Sequence, residues 1–94
     1  YSIRLPEGVE EIGFCNIMNE RDVRVLVLPS TLKRIRDGSL YYNLPLKRIY
    51  FTGTEKEWAE IDLGPYRSIW KNVEIIFAPD GVEPGAFAGL LTVD

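Results

Sequence analysis

The sequence predicts an α/β repeat solenoid, with about four parallel strands on one face, a mostly irregular convex side and one short helix. Three observations carry this. The 94-residue chain matches itself at an offset of 23 residues. Apolar residues recur two apart in short segments, and proline follows those segments at matching places. Apolar side chains make up 46% of the chain, enough for one small core.

The first two turns set the pattern. With a shift of 23, Ile3-Arg-Leu5-Pro6 falls on Leu26-Val-Leu28-Pro29. Val9, Ile12, Ile17 and Val23 fall on Leu32, Ile35, Leu40 and Leu46. Apolar residues two apart share one side of a strand. Strands are therefore expected over about 2–5 and 24–28, with Ile3, Leu5, Leu26 and Leu28 inside. Proline cannot continue a hydrogen-bond ladder, so Pro6 and Pro29 turn the chain. The return halves are bracketed by Val9, Ile12 and Ile17, then by Leu32, Ile35 and Leu40. One such turn cannot close a core, but stacked turns line these residues into continuous apolar ladders. A period of about 20–29 residues with this spacing marks a leucine-rich repeat, here right-handed.

The third turn starts the same way. Leu46, Ile49 and Phe51 repeat the earlier spacing, giving a strand over about 47–51, and Trp58 matches Ile35. Thr54-Glu-Lys-Glu57 then reads as a capping box, with Thr54 as N-cap and Glu57 at N3. Trp58 and Ile61 follow at helical spacing. A short helix is expected over about 55–62, broken at Gly64-Pro65. A longer step of 26 takes Ile49 to Ile75 and Phe51 to Phe77, so the last strand falls at about 73–77. Residues 1–78 thus form about three turns of 23–26 residues. Residues 79–94, with Ala86-Phe87 and Val93, read as a degenerate shortened repeat or a C-terminal cap. The expected core is Ile3, Leu5, Val9, Ile12, Ile17, Val23, Leu26, Leu28, Leu32, Ile35, Leu40, Leu46, Ile49, Phe51, Trp58, Ile75 and Phe77.

Composition narrows the chemistry. No apolar run approaches the roughly twenty residues that a membrane-crossing helix needs. The absence of His and the single Cys remove His-based zinc sites, His general bases and CxxC pairs. Net charge is −3, too acidic for a general nucleic-acid binder. It is unevenly spread: residues 1–22 carry −3, residues 23–54 carry +5 and residues 55–94 carry −5. The chain opens at Tyr1 with neither a basic n-region nor an apolar h-region, so a trimmed fragment or a processed product is expected.

Leu5-Pro-Glu-Gly-Val-Glu-Glu-Ile12 and Leu28-Pro-Ser-Thr-Leu-Lys-Arg-Ile35 resemble the BspA-type leucine-rich repeat. Ala86-Phe87 echoes that pattern's later "A-F" element. The stretch from Ile49-Tyr-Phe-Thr-Gly-Thr-Glu-Lys-Glu-Trp58 to Phe77 resembles the "Y-x-G-T-x-x-x-W" unit found near the ends of such arrays. The chain departs at Asn16 and Ser39 (Ala in the family), at Ile17 and Leu40 (Phe) and at Glu20 and Asn43 (Cys), which implies loosely packed turns. The resemblance implies a bacterial cell-surface or secreted protein used in adhesion or protein recognition, with no catalysis and no cofactor.

Matched positions become neighbours when turns stack, which sorts the candidate sites. Glu10 meets Lys33, and Glu11, Arg34 and Glu57 would form a cross-turn charge ladder. This structural reading of Lys33-Arg34-Ile35-Arg36 outweighs an anion or nucleic-acid patch. Strand residues between the buried ones form two outward rows: Arg4, Val27, Tyr50, Ile76 and Ser2, Val25, Arg48, Glu74. Apolar residues facing solvent mark contact surfaces, and Tyr and Arg are enriched at hot spots. The candidate protein-binding face is therefore Arg4, Val25, Val27, Arg48, Tyr50, Glu74 and Ile76. Trp58 and Trp70 read as core rather than as sugar-stacking residues, and one of Tyr41 and Tyr42 as exposed. Cys15 has no His to activate it. Glu55, Glu57, Glu60 and Asp62 lie on an exposed helix with no forced convergent pair, and Asp80-Gly81 is a turn.

The function expected is a non-catalytic protein-interaction module. The alternative is a structural spacer or stalk. The partner would be a protein of unknown identity, with no nucleic acid and no membrane insertion. Open repeat ends expose apolar ladders, so either a longer parent protein or end-to-end self-association is expected.

Overall fold

The computed structural model describes residues 2–13, 22–40, 44–79 and 81–90. The expectations for Cys15, Asn16, Ile17, Glu20, Tyr41, Tyr42, Asn43, Asp80 and Val93 lie outside them. Strands β1 (Ser2–Arg4), β3 (Val25–Leu28), β5 (Arg48–Phe51) and β6 (Glu74–Phe77) form one parallel sheet in the order β1-β3-β5-β6. Each lies within a residue or so of its expected span. Two shorter strands, β2 (Glu11–Ile12) and β4 (Arg34–Ile35), pair in parallel as a second sheet that periodicity did not announce. Among the described residues, three short helices complete the α/β fold: α1 (Glu55–Glu60), α2 (Tyr66–Ile69) and α3 (Pro84–Leu90).

The register reproduces the offsets. Ser2, Ile3 and Arg4 pair with Val25, Leu26 and Val27, which pair with Arg48, Ile49 and Tyr50. The next step is 26 residues, with Ile49 on Ile75 and Phe51 on Phe77. Inward positions collect into one core with Ile12, Val23, Leu26, Leu28, Leu32, Ile35, Leu40, Ile49, Phe51 and Trp58 buried. Ile3, Leu5, Leu46, Ile75 and Phe77 pack against it half-buried, and Val9 is also half-buried. All but Leu46 lie on or beside β1 and β6, the outer strands of the sheet among the described residues.

The longer connection from β5 to β6 begins with a capped helix. The Thr54 side chain accepts from the Glu57 N–H at 3.1 Å, and the Glu57 carboxylate accepts from the Thr54 N–H at 2.9 Å. This box satisfies two amides that a helix start would otherwise orphan. The other end is closed from outside the helix. Arg67 on α2 donates to the carbonyls of Trp58 (3.3 Å) and Ile61 (2.6 Å), putting a cation where carbonyls accumulate. Gly53 lets this turn close. A Cβ there would lie 2.7 Å from the Phe51 ring and 2.9 Å from the Glu57 carboxylate. Trp58 packs edge-on against Phe51 with ring centroids 5.2 Å apart, and Phe51 meets Phe77 at 6.3 Å. Such aromatic pairs add about 0.5–1.5 kcal/mol beyond their buried area.

Three expectations need correction here. The charge ladder does not run through Glu57. Arg34 bridges to Asp62, with Nε 3.5 Å from the carboxylate, and the Ile35 N–H donates to the Asp62 carbonyl. The inserted helix pushes the matching position on this side from 57 to 62, and Glu57 is spent on the cap. Ser39 and Leu40 do not sit in a loosely packed turn. Both are fully buried, and the Ser39 hydroxyl donates to the Arg36 carbonyl at 2.7 Å. The single helix expected in the return segments is joined by α2, and residues Pro84–Leu90 of the C-terminal stretch form α3.

Tyr66, Ile61 and Leu63 are core residues that the apolar matching left out. Tyr66 is fully buried, and its hydroxyl both accepts from the Leu40 N–H (2.9 Å) and donates to the Leu40 carbonyl (2.6 Å). The signal was available: the 26-residue step that links Ile49 to Ile75 also takes Leu40 to Tyr66.

Candidate binding face

Parallel pairing in register sets the two outward rows side by side. Val25, Arg48 and Glu74 align across β3, β5 and β6. Arg4, Val27, Tyr50 and Ile76 align across all four strands. The structure therefore brings together all seven residues expected on this face. It does not expose them alike. Arg4, Arg48 and Glu74 are exposed, and Val25, Tyr50 and Ile76 are half-buried. Val27, expected to face solvent, is only 1% exposed. It is the shortest side chain of its row and lies in register between Arg4 and Tyr50, two of the longest. The apolar surface on offer is accordingly Val25, Tyr50 and Ile76.

Arg48 organises that surface. Its Nε–H donates to the Glu74 carboxylate at 2.8 Å, and an Nη–H donates to the Tyr50 hydroxyl at 3.2 Å. Its guanidinium carbon lies 5.8 Å from the centre of the Tyr50 ring, within range of a cation–π contact. The Tyr50 hydrogen bond, and then that of Glu74, hold the guanidinium above its usual pKa. A guanidinium carries five N–H donors, and these contacts use two. Arg48 is therefore held in one orientation while retaining donors for a carbonyl or carboxylate on a partner. Ordering in advance lowers the entropy cost of binding.

The other candidates are occupied. Lys33 lies 3.8 Å from Glu10, as the sequence matching expects, Arg34 is bridged to Asp62, and Arg36 is hydrogen-bonded to Glu11. The basic run is thus neutralised from both neighbouring repeats. Trp58 and Trp70 are both buried. Trp70 stacks at a tilt against Tyr66, 5.0 Å between centroids.

A polar network at the corner after the strands was not foreseen. The Thr52 hydroxyl accepts from the Ser30 N–H at 2.9 Å and donates to the Glu7 carboxylate, which also receives the Ser30 hydroxyl. One step on, the Thr31 hydroxyl accepts from the Gly8 N–H (2.9 Å) and donates to the Val9 carbonyl (2.8 Å). These contacts tie the corners of successive repeats without apolar ladders, so matching apolar residues alone does not reveal them.

Compared with protein-family models, curated proteins and solved structures, the chain matches none of them.

Proposed function

We propose that the chain is a short leucine-rich repeat solenoid of the BspA type, acting as a non-catalytic protein-interaction module of a bacterial cell-surface or secreted protein. The partner is a protein that docks on the strand face. The equal spacing of the first three strands supports the solenoid reading. The observation that carries the function is Arg48, held by Tyr50 and Glu74 on an open face with Val25 and Ile76 beside it. An ordered Arg–Tyr pair next to apolar surface has the composition of a binding hot spot.

The test is a binding screen against host-matrix and bacterial-surface proteins, repeated with Tyr50→Ala and Arg48→Ala. Either change is expected to weaken binding roughly five- to thirty-fold. An affinity unmoved by both changes would remove the strand face from the interaction. No partner in the screen would favour a spacer that holds other domains apart.

A further inference from the structure

We infer that the strand face selects an acidic polypeptide segment: a carboxylate of the partner docks on the Arg48 guanidinium above Val25, and Glu74 is the built-in competitor that tempers its affinity. The inference rests on the strand face being the binding surface, as proposed above, and names the chemistry which that surface reads.

The register treats the two sides of Arg48 differently. Towards β6 its row continues with Glu74, which accepts the Nε–H at 2.8 Å. Towards β3 its row continues with Val25. The outward residues of β3 are Val25 and Val27, so this strand gives the guanidinium no side-chain acceptor. Tyr50, two residues on along β5, takes one Nη–H at 3.2 Å. Two of the five N–H groups are spent on these contacts, and the other three sit on the Nη atoms. A carboxylate is the planar acceptor that matches them, and it can take two in parallel.

Charge and apolar surface then choose the occupant. The outward rows of the four strands carry Arg4 and Arg48 against Glu74 alone. A partner cation would have to pair with Glu74 beside the Arg48 charge. A partner carboxylate meets the guanidinium over an apolar neighbour. Tyr50 and Ile76 are adjacent in the next row and half-buried, and they offer contact for an apolar side chain beside that carboxylate. The internal pair does not close the site. The Arg48 and Glu74 side chains are 46% and 60% exposed, and exposed pairs of this kind are weak. Glu74 orients the guanidinium and cancels part of its charge, so it sets the strength of binding without preventing it.

The test is selection of random short peptides, displayed on phage, on the folded chain. Recovered peptides are expected to carry Asp or Glu next to an apolar residue and to be poor in Lys and Arg. One of them, labelled and titrated by fluorescence anisotropy, should bind Arg48→Gln at least about fivefold more weakly. Arg48→Lys keeps the charge and loses the fork, so it should bind as weakly as Arg48→Gln. Glu74→Gln keeps an acceptor for the Nε–H and removes the competing charge, so it should bind about two- to fivefold tighter. Circular dichroism checks that each variant is folded. Peptides that need Tyr50 and Arg48 but show no acidic preference would overturn this inference and leave the strand face as the binding surface. Peptides indifferent to both residues would overturn the strand-face reading as well. An empty selection would overturn the inference, and binding to Glu74→Gln that is unchanged or weaker would overturn the role given to Glu74.

Discussion

Leu28 and Leu5 end the same strand position in successive repeats, and their surroundings differ by one strand. Leu28 has β1 on one side and β5 on the other and is fully buried; Leu5, among the described residues, has β3 alone and is half-buried. The residue type is identical and so is its place in the repeat. In a sheet built this way, burial is set by the number of flanking strands rather than by the residue. The third repeat shows a second route. Its following strand, β6, is itself an edge, but aromatic packing and a capped helix fill the interior around Phe51.

The pair gives the largest expected effect. Leu28→Ala should destabilise by about 3 kcal/mol, as buried Leu truncations do. Leu5→Ala should cost about 1 kcal/mol, because much of its surface already meets water. Denaturant unfolding of both variants, extrapolated to water, reads the difference. Equal losses would mean that an interior contact, not the flanking strand, sets the burial of this position.

Tyr66→Phe tests the third repeat in the same way. It removes one hydroxyl and leaves the buried Leu40 N–H and carbonyl without their partner. A loss of about 1–3 kcal/mol is expected. Tyr50→Phe, on the outer face, should stay within about 0.5 kcal/mol, the usual range for surface changes. A Tyr66→Phe variant as stable as the parent would show that Leu40 finds another partner and that the ring alone ties the second repeat to the third.

Thr54→Ala should follow at about 1 kcal/mol, the usual cost of losing an N-cap. The loss should be confined to the third repeat. Amide exchange is expected to speed up at Glu57 and Trp58 while the Leu26 and Leu28 amides keep their protection. Uniform acceleration would mean that α1 is needed for the whole sheet to close.

The first two repeats were legible because matched residues there are true neighbours. A constant offset of 23 placed β1, β3 and β5, their inward residues and the Glu10–Lys33 pair. The binding face was legible as rows, since alternation fixes which side a residue takes. Exposure within the rows was not: alternation puts Val27 on the outward row, yet it is buried. The third repeat was legible as a capping box and opaque in its register. An inserted helix shifts matching by different amounts on the two sides: Phe51 meets Phe77 after 26 residues, but Arg34 meets Asp62 after 28. The corner network of Glu7, Ser30 and Thr52 has no apolar period and so left no trace.

That split register supplies the smallest and sharpest test. If matching at 23 governed the third repeat, Arg34 would couple to Glu57. In the structure it couples to Asp62, and the Glu57 carboxylate is held by Thr54. A double-mutant cycle between Arg34→Gln and Asp62→Asn should therefore give a coupling of about 0.2–1 kcal/mol, the range for exposed pairs. The cycle between Arg34→Gln and Glu57→Gln should give none beyond error. Both side chains of the Arg34–Asp62 pair are more than half exposed, so the first coupling should shrink as salt rises and the Debye length falls below the span of the pair. The single change Glu57→Gln keeps a side chain able to accept from the Thr54 amide, so it leaves the cap in place and isolates the charge. A coupling to Glu57 that exceeds the coupling to Asp62 would mean that α1 is not an insertion but a regular return segment, and that one offset runs through the whole chain.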